Sequence, residues 1–304
     1  MQSWRQGTHE QYRHYIRQWM QFCELRECNP FRPAVADVLN FLYDLFTKGK
    51  ADGSGLGYSS LAVARSALSS IIDFNGLPAG QHPLVKKFLR AAFNLRPTLP
   101  KHNVIWDVDH VLTYLKTLMP LHSLTLGLLS QKLNMLLLLL TGQRGQSIFL
   151  LDIVNMTLTQ SMATFRIAEL AKTSRPNAHM PELRLPAYPA EAGLCVVTTL
   201  DHYLIRTAVL RGNIKRLFIT TRPPYRAVAR DTIRRWARTV LVAAGIDMSI
   251  FSPHSTRSAA TSKAATKLPL KTILATAGWS QVSTFRRFYD RPIVELGLTA
   301  GLLP

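Results

Sequence analysis

Tyr12, Ile16, Trp19, Met20 and Cys23 recur at helical spacing and predict a helix over about 9–25. Val35, Val38, Leu39, Leu42 and Phe46 predict a second, ended by the polar, glycine-rich run 48–55. A third is expected over about Tyr58–Phe74, stopping at Asn75-Gly76, and a fourth over about Leu84–Leu95. Arg96-Pro97-Thr98-Leu99-Pro100-Lys101-His102 then reads as a linker, since two prolines and exposed cations oppose a continuing helix. The expected organisation is a helical domain over 1–96, a linker over 97–103 and a second domain over 104–304.

The second domain opens with expected helices at about Asp107–Met119 and Leu124–Leu140, then a short one over Gln146–Leu151. Strands are expected at Val154–Thr159, Thr164–Leu170 and Glu182–Leu185, and a further short one at Leu217–Thr220. Leu194–Leu210 and the basic segment Asp231–Ala243 read as helices. Ser252-Pro253 has the form of a helix cap followed by a first-turn proline. Pro269 and Gly278 bracket another helix, and Gln281–Tyr289 closes the domain. The fold class is therefore mainly α with a small antiparallel sheet.

Composition narrows the function. The chain holds 37 Lys plus Arg against 18 Asp plus Glu, a formal charge of +19, with 47% apolar residues. Disorder is excluded by the apolar content, and a polyanionic partner is indicated by the charge. The excess is concentrated at residues 201–304, which carry 17 basic and 5 acidic groups. Three scattered cysteines, Cys23, Cys28 and Cys195, give no disulfide framework and no CxxC pair. The most apolar stretch, Leu124–Thr141, is interrupted by Gln131, Lys132 and Asn134, and is expected to be a buried helix rather than a bilayer span. No signal peptide, metal-ligand spacing or cofactor motif is expected.

The polar residues of the second domain are ordinary when taken singly; their order is not. Arg144 follows Thr141-Gly142-Gln143 at the end of the buried helix, and Lys172 is placed at a hairpin tip, with Arg166 and Arg175 as nearby alternatives. His254 and Arg257 stand one helical turn apart. Trp279 follows Gly278, and Tyr289 sits within Arg286-Arg287-Phe288-Tyr289-Asp290-Arg291. These residue types suit phosphoryl transfer without metal. Two guanidiniums can hold the non-bridging oxygens of one phosphate. A phenol can attack phosphorus and form a covalent ester, and a lysine can protonate the leaving oxygen.

In this order the residues resemble the tyrosine recombinases, or phage integrases. The likeness rests on Thr-Gly-Gln-Arg144, Lys172, His254-Ser-Thr-Arg257, Gly-Trp279 and Tyr289, and covers about residues 104–291. The wording Thr141-Gly-Gln-Arg-Gly-Gln, Phe251-Ser-Pro-His-Ser-Thr-Arg-Ser-Ala-Ala-Thr and Ala277-Gly-Trp-Ser is similar to recombinases of eukaryotic DIRS- and Ngaro-type mobile elements. The resemblance implies a helical core-binding domain and an α+β catalytic domain forming a C-shaped DNA clamp. It implies a Tyr289 nucleophile giving a 3′-phosphotyrosine, with Arg144 and Arg257 stabilising the charged transition state. Lys172 would be the general acid, His254 would support the phosphate, and Trp279 would pack or hydrogen-bond through its indole. Two departures stand out: Trp279 where many relatives have histidine, and Ser147 where many have an acid.

The run Arg206–Arg238 holds ten cations and one acid, Asp231. Arg234, Arg235 and Arg238 on one expected helix, with Arg175, Arg286 and Arg287, are candidate contacts to the DNA backbone; Arg65, Lys86, Lys87 and Arg90 are their counterparts in the first domain. The implied partner is double-stranded DNA, bound by a homotetramer that is a monomer or weak oligomer without DNA. No cofactor, metal or membrane is implied, and the expected location is nuclear if the source is eukaryotic and otherwise cytoplasmic with the DNA, not secreted. Two alternatives share these features: a type IB topoisomerase and a DNA-binding relic without catalysis.

Overall fold

The computed structural model describes residues 6–97, 104–170, 174 and 182–293. The chain divides into two compact units, Met1–Lys101 and His102–Pro304.

Four helices build the first unit: α1 (Gln6–Arg26), α2 (Val35–Lys48), α3 (Tyr58–Leu68) and α4 (Pro83–Leu95). Their apolar faces enclose Trp19, Leu42, Leu61, Leu68 and Val85. Burying each such side chain contributes about 1.5–3 kcal/mol. The Trp19 indole also donates to Pro30 O at 2.9 Å, so the polar atom of this core residue is satisfied.

The third helix is shorter than its sequence suggests. It ends at Leu68, where the Ser69 and Ser70 hydroxyls bond back to Arg65 O and Ala67 O. Beyond it, β1 (Asp73–Phe74) and β2 (Leu77–Pro78) pair antiparallel around Asn75-Gly76. Both turn residues have positive φ, 54° and 84°, which is the two-residue hairpin that Asn-Gly favours. The dipeptide marks a hairpin and not a helix stop.

The second unit is arranged around α6 (Leu126–Thr141), a helix buried on almost all sides. It packs against α8 (Val196–Thr207) and α9 (Arg230–Ala243), with α5 (Val108–Thr117) and α7 (Gly145–Phe149) close by. Its buried polar residues bond internally in part: Lys132 Nζ donates to Leu115 O and Leu118 O at the end of α5, and Asn134 Nδ2 donates to Ile233 O, while Asn134 Oδ1 has no partner among the described residues. Strands β3 (Met156–Leu158), β4 (Met162–Phe165) and β5 (Leu183–Pro186) form one antiparallel sheet in that order. Ala163, Phe165, Leu183 and Leu185 give its buried face.

Leu217–Thr220, expected as a strand, joins no sheet. Ile219 and Ala227 form an isolated bridge, and Leu217 N bonds to Leu151 O. The segment is extended because its neighbours supply single partners, without a continuous ladder.

Three last helices, α10 (Ser255–Ala265), α11 (Leu270–Ala277) and α12 (Val282–Phe288), carry a separate small cluster of Ile273, Ala277, Trp279, Phe285 and Tyr289. Pro269 and the left-handed Gly278 bound α11 as expected. No helix among the described residues is long and apolar enough to cross a membrane.

Candidate active site

The site begins where α6 stops. Gly142 takes φ 56°, which lets the chain turn sharply; a Cβ there would lie 2.8 Å from Thr261 Cγ2. Gln143, nearly fully buried, donates through Nε2 to Thr276 O at 2.7 Å and ties the turn to α11. Arg144 follows in extended conformation as the residue before α7, and its carbonyl accepts from Ser147 N and Ile148 N. Its side chain is half-buried and makes no ion pair among the described residues. Ser147, in the place of the expected acid, bonds to Arg144 through its backbone N–H alone.

The helix bearing His254 and Arg257 starts later than the Ser252-Pro253 signal indicates. Residues 253–254 form a turn, and regular helix begins at Ser255 with His254 as the cap position. Ser252 acts through its carbonyl, which accepts both Ser255 N and Ser255 Oγ. Ser255 Oγ is also held by the Trp106 indole at 2.9 Å. One turn separates His254 from Arg257 even so, because Arg257 N donates to His254 O.

Arg257 is 2% exposed. Nη1 donates to Gly142 O at 2.6 Å and Nη2 to Ala277 O at 2.9 Å. Both acceptors lie at C-terminal helix ends, where the helix dipoles place negative potential, so one guanidinium caps α6 and α11 together. Its Cζ lies 4.0 Å from the centre of the Trp279 ring and 5.3 Å from that of Tyr289. The two aromatic rings are 4.5 Å apart. Burial first, and the nearby positive Arg144 second, pull Arg257 down to about 10, while the Tyr289 phenol favours its charged form. It is a cation at neutral pH. Two buried donors, Arg257 Nε and Trp279 Nε1, have no acceptor among the described residues.

Tyr289 ends α12 and leaves the helix with φ −130° and ψ −23°. It lines an open cavity of about 610 Å³ together with Arg144, Gln146, Arg230, Arg234 and His254. Five of the six sequence-predicted residues thus meet: Arg144, His254 and Tyr289 on the cavity, Arg257 and Trp279 against the Tyr289 ring. Lys172, on the connection between β4 and β5, lies outside the described residues, as does Arg175. The alternative Arg166 is engaged elsewhere, donating to Glu182 Oε1 at 2.9 Å.

Arg230 and Gln146 are members of the cavity wall that sequence reasoning missed. Arg230 belongs to the basic run already noted, but only the fold puts the first residue of α9 on the cavity that Arg144 lines. Arg234 and Arg235 share Asp231 as an ion-pair partner, at 2.8 and 3.8 Å, whereas Arg238 is exposed with no such partner among the described residues. Arg286 and Arg287 are exposed at the end of α12. In the first unit, Lys86, Lys87 and Arg90 are exposed along α4, and Arg65 is half-buried against Gly80.

No protein-family model and no curated protein sequence matches the chain. Solved structures do share its fold. A lambda integrase dimer bound to a COC' core site aligns at 16% identity and TM-score 0.56, over 97% of this chain and 93% of that one. XerH site-specific recombinase, in a post-cleavage complex with palindromic difH substrate, aligns at 15% and 0.54, over 83% and 67%. The Tn1549 transposon integrase in complex with circular intermediate DNA aligns at 12% and 0.51, over 90% and 85%. The chain has the tyrosine-recombinase fold, mainly helical with two small antiparallel sheets among the described residues.

Proposed function

We propose that this protein is a site-specific DNA recombinase or integrase that cuts and rejoins strands through Tyr289. The observation that carries the reading is the packing of Tyr289 and Trp279 against a buried Arg257 guanidinium, with Arg144 and His254 on the cavity that Tyr289 lines. These groups come from four separated stretches of chain, and together they are what attack on a phosphodiester needs.

In the proposed reaction the Tyr289 phenol releases its proton to solvent in the open cavity and its oxygen attacks phosphorus, forming a 3′-phosphotyrosine as the bond to the 5′-oxygen breaks. Lys172 protonates that departing oxygen. Arg144 and Arg257 hold the charge that builds on the non-bridging oxygens, and His254 supports the same phosphate; removing one such donor slows a reaction by about a hundred- to a thousandfold. A 5′-hydroxyl from the partner strand reverses the step and joins the new pair. The indole N–H of Trp279 is a further donor.

The first unit acts as the core-binding domain over about 1–96, joined by a linker at 97–103 to a catalytic domain at 104–304. Arg65, Lys86, Lys87 and Arg90, and in the second unit Arg175, Arg234, Arg235, Arg238, Arg286 and Arg287, contact the DNA backbone. The working form is a tetramer on two duplexes, and the host DNA is that of a mobile element of DIRS or Ngaro type, in the nucleus if the source is eukaryotic.

The test is a nicked suicide duplex carrying the ends of the DNA that encodes the protein. A covalent 3′ adduct is expected, absent in Tyr289→Phe, which still binds the duplex. No adduct from the wild type on any such DNA overturns the reading. Relaxation of supercoils without joining of two duplexes would instead identify a topoisomerase.

A further inference from the structure

Ser262 stands five residues after Arg257 on α10 and is 8% exposed. Serine and threonine hydroxyls inside helices usually bond back to a carbonyl one turn earlier. Thr141, Thr207 and Thr261 all do so here. Ser262 instead reaches outward. Its Oγ donates to Tyr289 O at 2.5 Å and accepts from Arg291 N at 3.1 Å.

One oxygen atom therefore spans the two residues on either side of Asp290. It acts just where α12 ends, since Tyr289 N and Asp290 N both still bond to Phe285 O. Further on, Pro292 O accepts from Ile105 N at 2.9 Å, which holds the departing chain a second time. A backbone leaving a helix has several paths open to it. The Ser262 hydroxyl selects one, and so sets where the Tyr289 Cα lies.

The choice of helix matters. His254, Arg257 and Ser262 all project from the start and body of α10, a rigid element, so the anion-holding groups and the Tyr289 backbone share one frame. We propose that Ser262 is a positioning residue: it fixes the Tyr289 phenol relative to the phosphate held by Arg257. The inference rests on Tyr289 being the nucleophile, and adds the group that aims it. Displacing a reacting atom by about 1 Å can slow a step by about a hundredfold.

The test compares wild type, Ser262→Ala and Ser262→Thr for duplex Kd, single-turnover adduct formation on the suicide substrate, and thermal melting. The expected result is an unchanged Kd, adduct formation about 10- to 100-fold slower in Ser262→Ala, and a rate nearer to wild type in Ser262→Thr. Wild-type rates in Ser262→Ala overturn the inference, as does a loss that follows melting temperature alike in both variants. If Ser262→Ala does not fold, hydrogen exchange in the wild type decides: an Arg291 amide as fast as open chain overturns the inference, and protection equal to that of α10 sustains it. Absence of adduct from the wild type sinks the Tyr289 reading and this inference together, a result distinct from a fast Ser262→Ala.

Discussion

The Arg257 guanidinium donates at 2.6 Å to the carbonyl of Gly142, a residue 115 positions earlier in the chain. That bond joins the end of the central helix to the start of the last helical cluster. It gives Arg257 two duties, since the group proposed to hold a phosphate is also the cap of two helices.

The two arginines should therefore fail differently. Arg257→Ala leaves Gly142 O and Ala277 O buried without donors, at a cost of about 1–3 kcal/mol for each. Urea unfolding should show that loss alongside absent adduct formation. Arg144→Ala removes a half-buried side chain with no ion pair among the described residues and should leave unfolding within about 0.5 kcal/mol of wild type. Its adduct formation should still fall by about a hundred- to a thousandfold. Equal stability losses in the two would contradict the capping role.

Gly142 should resist substitution. Gly142→Ala forces φ 56° on a residue with a Cβ, costing about 1–2 kcal/mol, and drives that Cβ to 2.8 Å from Thr261. Calorimetry should show a lowered Tm, and adduct formation should drop because the carbonyl holding Arg257 moves. A neutral Gly142→Ala would mean that the turn is not under constraint.

Lys172, the proposed general acid, should be dispensable when the leaving group needs no proton. On an ordinary phosphodiester, Lys172→Ala should slow adduct formation by about a hundred- to ten-thousandfold. A duplex with sulfur in place of the 5′-bridging oxygen should restore most of the rate. Persistence of the defect on the sulfur substrate would assign proton donation to another residue.

Salt titration should sort the surface cations. Each phosphate neutralised contributes about 0.9 to the slope of log K against log salt. Arg238→Ala should lower the slope by about that amount. Arg234→Ala should lower it less, because Arg234 is shared with Asp231. Filter binding between low and moderate salt measures both.

Burial pulls Lys132, fully enclosed in α6, down to about 8 from the usual 10.5. Between those values the unfolded chain keeps a proton that the folded chain releases, so stability rises with pH. Relative to Lys132→Met, the wild type should gain about 3 kcal/mol from pH 8 to 10.5 and change little below 8. Denaturant midpoints at several pH values test this; a flat difference would mean that Leu115 O and Leu118 O keep the ammonium charged.

The sequence was legible wherever one local signal decides the outcome. Proline and glycine bound α11 as read, and an apolar run became the buried α6. Local signals also misled when partners lay far off. Asn75-Gly76 stops a helix or turns a hairpin, and only the pairing of Asp73 with Pro78 decides which. Leu217–Thr220 has strand residues but finds single bridges where a strand needs a ladder. Arg144, His254, Arg257, Trp279 and Tyr289 could be gathered from order and residue type. Arg230 and Ser262 could not, because a first-turn arginine and a helical serine are commonplace until the fold shows what each faces.

Tyr289 is packed with Ile273, Ala277, Trp279 and Phe285, outside the main core of its unit. So few apolar side chains make a weak lock of their own. The hydrogen bonds of Arg257 to Gly142 O and Ala277 O, and of Gln143 to Thr276 O, fasten this cluster to the end of α6. A change at Gly142 or Arg257 would therefore be felt in both places, in the packing of Tyr289 and in the end of the central helix.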